Sequence, residues 1–258
     1  MPNVALITGA SSGIGEEFAR YHARKGGDVI LTARREEQLN MLKEELEREH
    51  QITAHVFPLD LGAEGGAQSL IAKVESAGLE VDILINNAGF GGHGIHVERD
   101  IAAEQAMIDL NIKALVALTH HFGGKMAERG KGRILQVGST AGFAPGPLQA
   151  VYFATKAFVN SFSQAIAEEL RPKGVTCTVL APGYVKTEFA EAANLEGTKL
   201  VSSGGATAKS VAKHGYDAMK MGKLVTVNEP LLSVLMQWII PMMPRRMVLK
   251  QLRSMQQK

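Results

Sequence analysis

Along the chain, short apolar runs alternate with stretches in which apolar residues recur every three or four positions. "VALIT" (4–8), "DVILTA" (28–33), "TAHVFPL" (53–59), "VDILINN" (81–87), "GRILQVG" (132–138), "GVTCTVLAP" (174–182) and "KLVTVN" (223–228) carry the first pattern. Several are nearly continuous in Val, Ile and Leu, as parallel strands covered on both faces require. The second pattern is clear in "RREEQLNMLKEELEREH" (34–50), where Leu39, Leu42 and Leu46 form one stripe on an otherwise charged helix. This alternation predicts an α/β chain: a doubly wound parallel sheet of about seven strands, with right-handed crossovers and helices on both faces.

The rhythm breaks once. Residues 187–215, "TEFAEAANLEGTKLVSSGGATAKSVAKHG", are rich in Gly, Ser and Ala, and a connection of that length predicts a lid or substrate loop. No internal repeat or Pro/Ser linker divides the chain, so 1–258 reads as one dinucleotide-binding catalytic domain with an apolar and basic extension at 230–258. The longest apolar stretch, "PLLSVLMQWIIPMM" (230–243), has the length of a buried helix, is too short to span a bilayer, and is interrupted by Pro241. The opening "MPNVALITGA" has neither a basic n-region nor a long apolar core. Together these predict a cytoplasmic protein. A net charge of +2 with no Lys/Arg stripe in the body gives no reason to expect nucleic acid. The single cysteine, Cys177, rules out an internal disulfide and, in its β-branched run, reads as core. Neither it nor the eight histidines form a metal spacing, so no metal is expected.

In open sheets of this kind ligands bind beyond the carboxyl ends of the strands, where strand order reverses. The first strand runs into "TGASSGIGEEFAR" (8–20), with Gly9, Gly13 and Gly15 at a strand-to-helix turn. Missing Cβ atoms there allow close approach of a phosphate, and the following helix aims its N-terminal amides at it. No Lys-Ser/Thr follows the last glycine, so the turn is not a Walker A loop. Where NAD-binding folds carry an acid at the end of the second strand, this chain has Ala33 followed by Arg34. A guanidinium there holds a 2′-phosphate bidentately, which predicts NADP(H) preferred over NAD(H).

Tyr152 and Lys156 are spaced i, i+4 in "AVYFATKAFVNSF" and share one helical face. Ser139 ends the fifth strand, Asn86, Asn87, Ala88 and Gly89 end the fourth, and Asn111 is a polar residue in the apolar run "MIDLNIKALVAL". In this order the residues resemble the short-chain dehydrogenase/reductase family. The resemblance covers residues 3 to about 187: "TGASSGIG" (8–15), "LD" (59–60), "NNAG" (86–89), Asn111, Ser139, "YFATK" (152–156) and "PGYVKT" (182–187). It implies a Rossmann-like fold and a catalytic tetrad of Asn111, Ser139, Tyr152 and Lys156. It also implies cofactor contacts from Gly9, Ser11, Ser12, Gly13, Ile14, Gly15, Arg34, Arg35, Asp60, Leu61, Asn87, Ala88, Gly89, Tyr152, Lys156, Pro182, Gly183, Val185 and Thr187. Gln136 departs from the family's usual Asn but lies outside the tetrad.

The expected activity is NADP(H)-dependent interconversion of a carbonyl and an alcohol by hydride transfer. Tyr152 is the general acid, Lys156 lowers its pKa, and Ser139 orients the substrate oxygen; the resemblance implies that Lys156 also holds the nicotinamide ribose. Asn111 would hold a water that joins Lys156 to solvent. A 3-oxoacyl-thioester reductase is the alternative within this class; a dinucleotide-binding regulatory protein without turnover is the alternative outside it. The substrate is expected to be hydrophobic, from "TAGFAPGPLQAV" (140–151). The resemblance further implies a homodimer or homotetramer through 98–123 and 149–171. His93 and His96 read as solvated loop residues, with a place lining the substrate entrance as the other reading, and His120–His121 as a helix end. The tail reads as a helix lining the substrate site or a subunit contact; a basic amphipathic segment on a membrane surface is the other reading. Arg34→Ala is predicted to shift the ratio of NADP(H) to NAD(H) affinities toward NAD(H), measured by titrating both cofactors into the purified variant.

Overall fold

A computed structural model describes residues 3–202 and 204–258. Seven parallel strands form the main sheet: β1 (Val4–Thr8), β2 (Asp28–Ala33), β3 (Ala54–Pro58), β4 (Ile83–Asn86), β5 (Gly132–Val137), β6 (Val175–Leu180) and β9 (Val225–Thr226), in the order β3-β2-β1-β4-β5-β6-β9. Each grows from one of the seven apolar runs. The chain winds outward from β1 to β3 and then returns to place β4 on the other side of β1, with Ala5 opposite Ile83 and Ile7 opposite Ile85. Between β1 and β4 the crossovers leave in opposite directions and open a crevice at the carboxyl ends. A short pair, β7 (Val185–Lys186) and β8 (Ala206–Thr207), stands apart from the main sheet.

The period of two sends alternate strand residues to opposite faces. Ile7, Leu31, Ile85, Leu135 and Leu180 pack under α1 (Gly13–Ala23), α2 (Glu36–His50) and α9 (Ala208–Lys220). Leu6, Ile30, Leu84, Ile134 and Cys177 pack under α3 (Gly66–Ser76) and α5 (Leu115–Arg129). Between α3 and α5 lie α4 (Ile101–Ile108) and a π-helical turn, Asp109–Ala114. His120 and His121 therefore lie inside α5 rather than at its end, and His121 meets Glu75 at 3.2 Å. The long helix α6 (Ala150–Leu170) lies against β6.

The expected substrate loop is shorter than its composition implied. Its first part holds the single-turn helices α7 (Phe189–Ala192) and α8 (Lys199–Ser202), but from Ala208 the chain is the ordered helix α9. Thr207 caps that helix by accepting from the Ser210 amide at 3.2 Å, and Val211, Ala212, Gly215, Tyr216 and Met219 are buried. Small residues are used because the helix sits close to the sheet: a Cβ at Gly215 would run into Leu180. Low bulk thus reflects tight packing, not a loop. The tail is α10 (Pro230–Val234), a π turn (Leu235–Ile239), a short 3-10 turn and α11 (Arg245–Gln256). It is only half buried. Leu232, Met236, Ile240, Val248 and Leu252 face inward, while the opposite side is exposed.

Helices α1 and α9 meet through a buried polar contact. His22 is fully buried, with Nε2 3.0 Å from the Asn3 carbonyl and Nδ1 2.7 Å from the Tyr216 hydroxyl. A carbonyl only accepts, so Nε2 carries the proton and Nδ1 accepts from Tyr216. Burial lowers the His22 pKa because the imidazolium would be desolvated. The unfolded chain then binds the extra proton first. Stability contributed here is present above the ordinary histidine value of about 6.5 and is lost as pH falls below it. Denaturant melts at a series of pH values are expected to show this loss, with a shallower slope for His22→Gln.

Candidate active site

The crevice at the carboxyl edge of the sheet opens into a cavity of about 620 Å³. Its nucleotide-side rim is built first by the glycine turn. Gly9 has φ +66°, and a Cβ there would press on Ala88 and the Asn87 amide; one at Gly15 would run into the Gly9 carbonyl. The turn is this tight because the ends of β1 and β4 are tied together. Thr8 Oγ1 accepts from the backbone amides of Asn87 and Ala88, both at 2.9 Å, and Asn87 Nδ2 donates to the Thr8 carbonyl at 2.9 Å. Gly9, Ser11, Ser12, Gly13 and Ile14 line the cavity; Gly15 does not, and stands behind Gly9 as a packing residue.

Arg34 and Arg35 follow β2 at the rim, both exposed. They differ in what they hold. Arg35 pairs with Glu188 at 3.0 Å, while Arg34 makes no side-chain hydrogen bond or ion pair among the described residues. Asp60 caps its own turn through the Gly62 amide at 2.9 Å and lines the cavity beside Leu61. Pro182, Gly183, Val185 and Thr187 complete this side, together with Asn87, Ala88 and Gly89.

Ser139, Tyr152 and Lys156 line the floor of the same cavity. The Tyr152 ring is half-buried and leans on Phe189, with centroids 5.4 Å apart. Burial pushes its hydroxyl up to about 12, opposed by a hydrogen bond from Ser139. Lys156 Nζ donates to the Val137 carbonyl at 2.8 Å and lies 5.9 Å from the Tyr152 ring centroid. Its own pKa falls to about 8 by desolvation. The expected lowering of the tyrosine pKa by Lys156 is therefore not what this arrangement produces. Desolvation of the phenol outweighs a cation that is turned toward a backbone carbonyl and is itself desolvated.

Asn111 lies in the π turn, one layer behind the cavity wall. Both its amide hydrogens and its oxygen have protein partners: Nδ2 donates to the Phe90 carbonyl (3.0 Å) and to Thr155 Oγ1 (3.1 Å), and Oδ1 accepts from the Phe90 amide (3.1 Å). It brackets the loop after β4 to the Tyr152 helix. A side chain at Gly89 would push against Asn111 Oδ1 and lie in contact with Lys156 Nζ. Gln136 is fully buried and donates to Thr119 Oγ1 at 2.8 Å, away from the cavity. Among the described residues no group of three or more His, Cys, Asp or Glu is placed to hold a metal ion.

The short chain dehydrogenase family model matches residues 3–197. The chain belongs to that family. It is 41% identical over 191 residues to sulfoacetaldehyde reductase 2 of Chromohalobacter salexigens, covering 73% of this chain and 75% of that one. To the very-long-chain 3-oxoacyl-CoA reductase of Macaca fascicularis it is 31% identical over 250 residues, 95% of this chain and 77% of that protein. Among solved structures, a short-chain dehydrogenase from Sphingobium yanoikuyae in complex with NADPH superposes with a TM-score of 0.83 at 28% identity, covering 95% and 97% of the two chains.

The family match ends before the tail, yet in this short-chain dehydrogenase the tail supplies one wall of the cavity: Leu232, Leu235, Met236, Ile240, Val248, Leu252, Met255 and Gln256. Gln256 is buried. Its side chain accepts from Gln149 Nε2 at 2.7 Å, and its carbonyl lies 2.7 Å from His93 Nε2. His93 is thus a tether for the tail rather than a solvated residue, and His96 reaches the buried Glu104. Three working residues escaped the sequence reading. Thr8 and Gln149 carry no signal of their own. Asn160, whose Nδ2 donates to the Ser139 carbonyl at 3.0 Å, does: it continues the i, i+4 row of Tyr152 and Lys156. Thr8→Val is expected to strand two backbone amides, costing about 2 kcal/mol or more. Its denaturation midpoint should fall and its cofactor Kd should rise, with Thr8→Ser restoring most of both.

Proposed function

We propose that this oxidoreductase interconverts an apolar ketone or aldehyde and its alcohol with NADP(H). The observation that carries the reading is the meeting of Ser139, Tyr152 and Lys156 on the floor of a cavity whose rim is the glycine turn. The residues fit the cofactor. The turn leaves a cradle where Cβ atoms at Gly9 and Gly15 would collide with backbone, and Arg34 lies at the rim with its guanidinium uncommitted. Gly9 to Ile14 would hold the pyrophosphate, Arg34 the 2′-phosphate, Asp60 the adenine end, and Val185 and Thr187 the nicotinamide amide. When bound, the dinucleotide supplies or takes the hydride. The NADPH held by the structural relative and the reductase names of the sequence relatives support this assignment.

The chain's own groups handle the oxygen. Ser139 donates to the carbonyl oxygen and fixes its position, so that negative charge develops against a ready donor. Tyr152 gives its phenolic proton to that oxygen, and a pKa near 12 keeps the proton on the ring until it is needed. Lys156, charged below about pH 8, is the neighbouring group from which a proton can return to the phenolate that remains. With both Asn111 amide hydrogens committed and Oδ1 already accepting from the Phe90 amide, a water joining Lys156 to solvent would meet this side chain only as a donor to Oδ1. Phe153, Leu195, Leu232, Met236 and Val248 give the substrate side an apolar lining. A 3-oxoacyl thioester is the second reading, favoured by the relative that matches 95% of the chain.

Purified protein is expected to consume NADPH faster than NADH against a panel of apolar carbonyls, followed by cofactor absorbance. Tyr152→Phe should lower kcat by about 10²–10⁴-fold while leaving NADPH binding nearly intact. An unchanged rate would overturn the assignment. Carbonyl reduction should decline above about pH 8, as Lys156 loses its proton.

A further inference from the structure

The tail is apolar on two sides, and only one is used. Leu232, Met236 and Ile240 pack inward against Ala144 and Val248. On the other side Leu231, Val234, Leu235, Trp238, Ile239 and Met242 recur at i, i+3, i+4, i+7, i+8 and i+11, and all are exposed: Leu231 84%, Trp238 72% and Met242 88%. A stripe of this length facing water calls for a partner. The helix that follows says which kind. Arg245, Arg246, Lys250 and Arg253 are exposed, and none makes an ion pair among the described residues. From Pro230 to Lys258 there is no acidic residue.

We propose that this face docks the protein onto an anionic lipid surface. The apolar stripe enters the boundary between headgroups and acyl chains, and the adjacent cations meet lipid phosphates and carboxylates. Among the described residues no helix is long and apolar enough to cross a membrane, so the contact lies along the surface. A second copy fits less well. A twofold contact confined to this segment would bring the cations of both subunits into one interface, with no acid on the segment to offset them. Leu235 both lines the cavity and is exposed, so docking brings the mouth of the site to the lipid. The proposal stands apart from the hydride-transfer reading, and its test reads binding, not turnover.

Trp238 is the sole tryptophan of the chain and reports on the patch directly. The full chain is mixed with vesicles of phosphatidylcholine alone, or with about a third phosphatidylserine added, and is followed by Trp emission and co-sedimentation. With anionic vesicles the emission is expected to shift to the blue and the protein to pellet, both weakening as salt rises. Neutral vesicles should bind at least about tenfold more weakly. Arg246→Ser combined with Lys250→Ser should lower anionic binding by about tenfold, and Leu231→Ser with Met242→Ser should abolish insertion. Thermal melts and NADPH binding equal to the parent's establish that these variants are folded. No pelleting and no shift with either vesicle overturns the proposal. Equal binding to both vesicles overturns the role of charge. A blue emission without lipid that reddens on dilution, as a dimer dissociates, assigns the face to a second copy instead.

Discussion

Strands β1 and β4 run side by side and then separate, and the structure rests on how that separation is held open. A single hydroxyl, Thr8 Oγ1, takes the first two amides beyond β4, and the Asn87 side chain returns a hydrogen bond to the Thr8 carbonyl. Three backbone polar groups that the ladder can no longer serve are satisfied across the gap. The geometry this imposes brings the glycine turn and the Asn87–Gly89 turn within van der Waals contact. Every group at the cavity floor is referred to that frame: Gly89 leaves the space for Asn111 and Lys156, and Asn111 joins the loop after β4 to the helix that carries Tyr152.

Within the frame, loss of water is the dominant electrostatic influence on the tyrosine and the lysine. It raises the phenol and lowers the ammonium, so both groups are moved toward their neutral forms. A simple tyrosine–lysine pair in water would behave in the opposite way, each charge favouring the other. The site thus holds a phenol that stays protonated beside an amine whose pKa has fallen to about 8. Hydrogen bonds to fixed positions, Val137 for the lysine and Ser139 for the tyrosine, set the remaining balance.

Much of this was legible in the chain. Apolar runs marked all seven strands of the sheet, several of them nearly continuous in Val, Ile and Leu, because a strand covered on both faces has no polar period to obscure it. What escaped did so for identifiable reasons. The α9 helix hid behind Gly, Ser and Ala, which it needs in order to lie close on Leu180. Thr8 looks like any strand threonine until its carbonyl-edge neighbours are known. The tyrosine pKa depends on burial, which a sequence spacing does not carry. The tail, read as a helix lining the substrate site or a subunit contact, does line the cavity through Leu232, Met236 and Val248, but its exposed second stripe was not separable from the first, since apolar residues read the same whether they face a cavity or solvent.

The two sides of the cavity are fastened differently. The nucleotide side is held by the sheet itself and by the Thr8–Asn87 bridge. The far side is closed by the tail, whose polar ties to the body are Gln256 to Gln149 and to His93, reaching 107 and 163 residues back along the chain, and Lys258 to Asn194, 64 residues back. A wall held by apolar packing and so few polar ties is the part of the cavity that parts at the lower cost. Two walls that enclose one space thus differ in what it takes to move them.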